Sequence, residues 1–272
     1  MKKKDRTPDP IKIKPGLSER DRVHSTHQIG VIAGTNGRYD LAIQQFRKVL
    51  REQPNHLEAN HDLALAYAKQ GKMRQAMEQF QKVLQINPNF PEAYYNLSVC
   101  YFRMNQPELA EEYLERALEK NPNHAKALLS KAKLAERRGQ LRVATKIYAH
   151  YIQINPSDHK TRAKIGSLYF QQGLDENAKI ELKKTVKHIQ TPQVLYQLGV
   201  IYHRQGDFSK AERLYEAVIT KDANHVDSLI SMGEILERKG DIQRALIHFE
   251  RAYGLESHNE YVRNKIQKLR RG

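Results

Sequence analysis

Twelve histidines, one cysteine and one glycine-rich stretch are where this 272-residue chain could hold chemistry. A metal site needs three or four ligands that converge. His24 and His27, and His56 and His61, lie close in sequence. No His-Glu-x-x-His motif occurs, however, and His56, His124 and His225 recur at one point of a longer pattern, which spreads them along the chain. Cys100 stands between Val99 and Tyr101 with no activating helix start, and reads as a small core residue. A single cysteine makes no internal disulfide. The run from Gly30 to Gly37, GVIAGTNG, lacks the spacing of a dinucleotide fingerprint and the Gly-Lys-Ser/Thr of a phosphate loop. No Ser/His/Asp order or acid pair suggests catalysis. No catalytic, cofactor-binding or metal residue is assigned, no cofactor is implied, and a non-catalytic protein is expected.

Charge is the next functional hint. The formal net charge is +15. Residues 1–22 and 260–272 each carry +4, leaving +7 for the 237 residues between them. An excess of this sign suits acidic protein segments, nucleic acid or an anionic surface. No run approaches the roughly 20 apolar residues of a membrane helix. The basic start, MKKKDRTPDP, is followed by no apolar stretch, so a secretory signal is not expected.

The elements that would position any site follow from a repeat. Ala42, Ala76, Ala110, Ala144, Ala178, Ala211 and Ala245 are spaced by 34, 34, 34, 34, 33 and 34 residues. Five residues before each stands Gly37, Gly71, Asn105, Gly139, Gly173, Gly206 or Gly240. Twelve before each stands a small residue: Gly30, Ala64, Ser98, Ala132, Gly166, Gly199 or Gly233. Four after each stands a large one: Phe46, Phe80, Leu114, Tyr148, Leu182, Tyr215 or Phe249. Pro54, Pro88, Pro122 and Pro156 close four of the units. The unit is a helix–turn–helix. Leu63, Ala64 and Tyr67 share one face of a first helix, and Ala76, Phe80, Val83 and Leu84 one face of a second. Small residues admit close helix approach, the large residue is expected to fill the gap between neighbouring pairs, and stacking supplies the stability.

This spacing and residue usage resembles the tetratricopeptide repeat (TPR) family. Framed from Pro54, the repeats are 23–56, 57–90, 91–124, 125–158, 159–191, 192–225 and 226–259. The implied fold class is all-α: a right-handed TPR helical-hairpin solenoid. Residues 1–22 are expected to form a basic flexible arm, with Ser18-Glu19-Arg20-Asp21 as a capping-box-like helix start. Residues 260–272 are expected to form a capping helix, with Val262, Ile266 and Leu269 as its apolar stripe. Lys131 stands where the other six repeats carry an apolar residue, and its stem is expected to snorkel outward.

The resemblance also implies a function and a face. In TPR proteins the first helices line a concave groove. Carried over position by position, this groove offers Tyr95, Asn96, Val99 and Phe102 in repeat three, Lys126, Leu129 and Lys133 in repeat four, Lys160, Lys164 and Phe170 in repeat five, and Tyr196 in repeat six. It would be aromatic early and basic in the middle, where repeats four and five carry +5 and +4. The full Lys/Asn set of a dicarboxylate clamp is absent: Tyr95, Val99 and Ser130 occupy its positions. The expectation is a soluble, cytoplasmic scaffold or adaptor that binds a partner protein segment, acidic in character, in the groove. Two alternatives stand beside it. One is nucleic-acid binding through the basic ends and repeats four and five. The other is homo-oligomeric self-assembly of the solenoid.

Overall fold

The computed structural model describes residues 18–271. Among them are fifteen α-helices and no strand: α1 (Glu19–Thr35), α2 (Tyr39–Glu52), α3 (Leu57–Lys69), α4 (Met73–Ile86), α5 (Pro91–Arg103), α6 (Pro107–Lys120), α7 (Ala125–Arg137), α8 (Leu141–Ile154), α9 (His159–Gln171), α10 (Asp175–Val186), α11 (Pro192–Arg204), α12 (Phe208–Lys221), α13 (Val226–Arg238), α14 (Ile242–Leu255) and α15 (Glu260–Arg271). The chain divides into two compact units, Met1–Lys131 and Ala132–Gly272, the division falling within α7. Within each unit helices pair in chain order, as α1 with α2 or α9 with α10, and each hairpin packs on the next, as α2 on α3 or α12 on α13. The fold class is the all-α helical-hairpin solenoid read from the sequence. No helix among the described residues is long and apolar enough to cross a membrane.

The hairpin follows from two features of the repeat. Its turn needs left-handed backbone, which glycine adopts without steric cost. Gly71 has φ 79°, and the next N–H, of Lys72, closes the turn on Tyr67 O at 3.0 Å. Asn105, with φ 57°, is the one non-glycine residue of this kind among the described residues. The second feature is close contact. A Cβ built at Gly30 would lie 2.6 Å from Phe46, and one at Gly199 would lie 2.7 Å from Tyr215. The large residue therefore presses on the small residue of its own hairpin, where the sequence pattern suggested a gap between neighbouring pairs.

Helix starts give three of the histidines their work. The Nδ1 atoms of His56, His124 and His225 accept the backbone N–H groups of Ala59, Ala127 and Ser228, each at 3.2 Å. These imidazoles are N-caps, satisfying amide groups that a helix start leaves without partners.

The ends differ from one another. Ser18 caps α1, accepting from Asp21 N at 3.2 Å. Helix α1 thus begins four residues ahead of the repeat boundary drawn at 23, and residues 1–17 of the expected arm lie outside the described residues. At the other end α15 lays Val262, Ile266 and Leu269 against the α13–α14 core. That is the capping stripe, with Arg263, Lys268, Arg270 and Arg271 exposed.

Candidate functional site

In the first unit, α1, α3 and α5 form one face, joined by a chain of polar side chains. His27 on α1 meets Asp62 Oδ2 on α3 at 2.9 Å through Nε2. Asp62 Oδ1 lies 3.5 Å from His61 Nδ1, and His61 Nε2 lies 3.1 Å from Asn96 Nδ2 on α5. The Asn96 amide donates, so His61 Nε2 accepts and its Nδ1 carries the proton toward Asp62. Burial alone would raise the Asp62 carboxyl, but bonding to His27 and His61 outweighs it and brings the pKa down to about 2. Phe80 and Phe90 hold the His61 ring, with centroids at 5.8 and 5.3 Å. Asp62 also lines an apolar cavity of about 380 Å³, with Val31 from α1, Phe46 from α2 and Leu65 and Ala66 from α3.

The sequence-derived residues divide between the units. In the first, Tyr95, Val99, Phe102 and Leu129 are half-buried and Lys126 is exposed. The Tyr95 ring packs on His124 at 5.3 Å. In the second, Lys133 and Lys160 are exposed, while Lys164 Nζ is paired with Glu136 Oε1 at 2.5 Å. Glu136 also accepts from Tyr148 Oη at 3.1 Å. Phe170 lies beneath the Arg204 guanidinium at 5.1 Å. Burial, with Asp227 and Glu234 adding to it, pushes the Tyr196 hydroxyl up to about 12. Lys131 behaves as its position suggested: the ammonium reaches Glu115 Oε1 at 3.2 Å. Cys100 is buried, and burial raises its thiol to about 11, so at neutral pH it is a protonated core group.

The opposite, second-helix layer holds a furrow that the sequence reading missed. Helices α2 and α4 flank it and α3 floors it. It encloses about 840 Å³ lined by Arg47, Leu50, Arg51, Asn60, Leu63, Tyr67, Gln79 and Lys82 among others. A cavity of about 340 Å³ continues it past Lys48 and Lys72. The second unit has a furrow of about 360 Å³ between α8 and α10, lined by Arg162, Tyr169, Glu181 and Lys184. The signal that could have found both was the repeat register, which aligns α2–α4 with α8–α10.

Family patterns described as tetratricopeptide repeat match residues 67–134, and residues 28–93 and 196–260. No curated protein sequence matches the chain. Solved structures do. A MamA protein is 27% identical, with a TM-score of 0.50, and the match covers 62% of this chain and 92% of that one. YrrB, described as a TPR protein with an unusual peptide-binding site, is 17% identical, with a TM-score of 0.59 and coverage of 69% and 97%. A tetratricopeptide repeat protein from Parabacteroides merdae is 15% identical, with a TM-score of 0.52 and coverage of 92% and 99%. The last two likenesses speak to the fold alone.

Proposed function

Because the chain belongs to the tetratricopeptide repeat family, we propose that it is a non-catalytic scaffold that binds a segment of a partner protein on its first-helix face. The observation that carries this reading is the α1–α3 cavity. It is mostly apolar, lined by Val31, Phe46, Leu65 and Ala66, and is bordered by the fixed carboxylate of Asp62 and by Lys69. An apolar side chain of the partner fills it, and buried apolar anchors of this kind dominate affinity at such surfaces. The His27–Asp62–His61–Asn96 chain locks the neighbouring side chains and so lowers the ordering cost of binding.

The acidic character of the partner rests on the second unit, where exposed Lys133 and Lys160 carry no ion pair among the described residues. Lys164 contributes less, because Glu136 already compensates it. The test is affinity capture of partners by the intact protein with and without nuclease, followed by variants. Leu65→Glu closes the cavity with a charge and should abolish capture with an unchanged circular dichroism spectrum. Lys160→Glu should weaken it more modestly. Native capture by Leu65→Glu would refute the first-helix reading, and loss of all capture on nuclease treatment would favour nucleic acid.

A further inference from the structure

We propose that the α2–α4 furrow of the first unit is a second binding site, on the opposite helix layer, and that it takes an extended acidic peptide segment. Arg47, Arg51 and Lys82 line its larger cavity, and Lys48 and Lys72 line the continuation. None of these five makes an ion pair among the described residues. Among the described residues no carboxylate lines the larger cavity, and Asp40 is the one carboxylate lining the continuation, where it already accepts from Gln70 Nε2 at 2.7 Å. The Arg47 guanidinium is fixed rather than waving in solvent. Its Nε and Nη2 donate to Tyr67 Oη at 3.1 and 2.7 Å. An ordered guanidinium gives carboxylates a preset, directional partner.

The lining also says which anion fits. Leu50, Leu63 and Ile86 put apolar surface beside the cations. Gln79 Oε1 is buried without a hydrogen-bond partner, although Gln79 lines the cavity. Rotation of the Gln79 amide toward the cavity would give this unsatisfied group a partner in a bound backbone, relieving the cost of leaving it unbonded. A peptide backbone supplies N–H groups beside its acidic and apolar side chains. A phosphate group supplies neither the N–H nor the apolar contact. The volume lies within the roughly 300–1,000 Å³ range of ligand sites. Partner carboxylates thus lie on Arg47, Arg51 and Lys82 and an apolar side chain lies against Leu50 and Ile86, with a backbone group meeting the Gln79 amide once that side chain rotates toward the cavity.

The probe is a fluorescein-labelled peptide of about twelve residues, alternating glutamate and leucine, titrated with the intact protein by fluorescence anisotropy. Controls are the same peptide with glutamine for glutamate and an oligothymidylate of equal length. The acidic peptide should bind more tightly than either. Arg47→Gln/Arg51→Gln should weaken it about tenfold or more. Gln79→Glu, which places a carboxylate among the cations, should weaken it similarly without altering the circular dichroism spectrum. Leu65→Glu, on the other face, should leave it unchanged, which separates this site from the first-helix site. Equal binding of the glutamine peptide, native affinity in both furrow variants, or no binding at about millimolar peptide would overturn the proposal. Tighter binding of the oligothymidylate, lost in the same variants, would overturn it in favour of nucleic acid.

Discussion

The two second-helix furrows are lined in one register, three repeats apart. Arg47, Arg51, Asn60, Tyr67, Gln79 and Lys82 of the first correspond to Ala149, Gln153, Arg162, Tyr169, Glu181 and Lys184 of the second. In the second furrow both cations pair with one internal carboxylate. Arg162 Nη1 meets Glu181 Oε2 at 2.7 Å, and Lys184 Nζ meets Glu181 Oε1 at 3.0 Å. The first furrow replaces that pair with two amides. Asn60 still donates to the Pro54 carbonyl at 2.9 Å, as Arg162 donates to the corresponding Pro156 carbonyl at 3.0 Å. The carboxylate is gone, and the cations stand at Arg47 and Arg51, where the second furrow has Ala149 and Gln153. The difference shows that net charge misleads on a repeat surface. Repeats four and five, at +5 and +4, hold the furrow whose cations share a carboxylate, and repeats one and two, at +2 and +1, hold the one whose cations have none.

The largest expected effect comes from removing the shared carboxylate. The Arg162 and Glu181 side chains are only 12% and 17% exposed. Glu181→Leu leaves Arg162 unpaired in a largely dry site and should destabilise the protein by about 3 kcal/mol, since breaking a buried pair costs more than the pair contributes. Gln79→Leu, at the corresponding position of the first furrow, removes an acceptor without a partner. It should leave stability unchanged or raise it by up to about 1 kcal/mol. Urea denaturation of both variants checks the contrast. Equal losses would mean that the two furrows are not energetically distinct.

Acid provides a second, smaller probe, because the first unit keeps its buried carboxylate on the other face. Asp62 titrates at about 2 when folded against an ordinary 3.8. Its contribution, about 2 kcal/mol, is fully present above 3.8 and is lost as pH falls toward 2. Asp62→Asn should erase that acid-dependent loss in urea midpoints. His124 works at higher pH. Burial lowers its pKa below 6.5, with nearby Lys126 acting in the same direction. The stability it lends as a neutral cap is therefore whole above 6.5 and declines as pH falls below it. His124→Asn keeps an N-cap acceptor and should flatten this decline, an effect smaller than that of Asp62.

The fold was legible because it is written seven times. A turn residue, a small residue and a large residue at fixed offsets determine each hairpin, and Gly30 against Phe46 shows the physical reason. The surface chemistry was far less legible. Lys164 reads as a groove cation until Glu136, 28 residues earlier, is seen to pair with it. His56, His124 and His225 read as dispersed histidines until their Nδ1 atoms are seen capping helices. Compensation depends on which side chains meet across helices, and composition does not record it. The substitutions of Arg162 by Asn60 and Glu181 by Gln79 were nevertheless visible once the repeats were aligned.

The smallest effect isolates exposure from pairing. Lys131 and Glu115 also form a cation–carboxylate pair between helices, α7 and α6, but their side chains are 31% and 52% exposed. Water already solvates both charges, so the attraction is weak, and holding two long side chains together costs rotamer entropy. Lys131 also occupies the position where the other repeats place Ile29, Leu63, Leu97, Ile165, Leu198 and Met232. Lys131→Leu therefore exchanges a weak pair for apolar contact with the inter-helix packing and should leave stability unchanged or raise it. Glu115→Gln should shift it by no more than about 1 kcal/mol. If instead Lys131→Leu costs about as much as Glu181→Leu, exposure does not separate the two pairs, and the distinction between a compensated furrow and an ordinary surface pair fails with it.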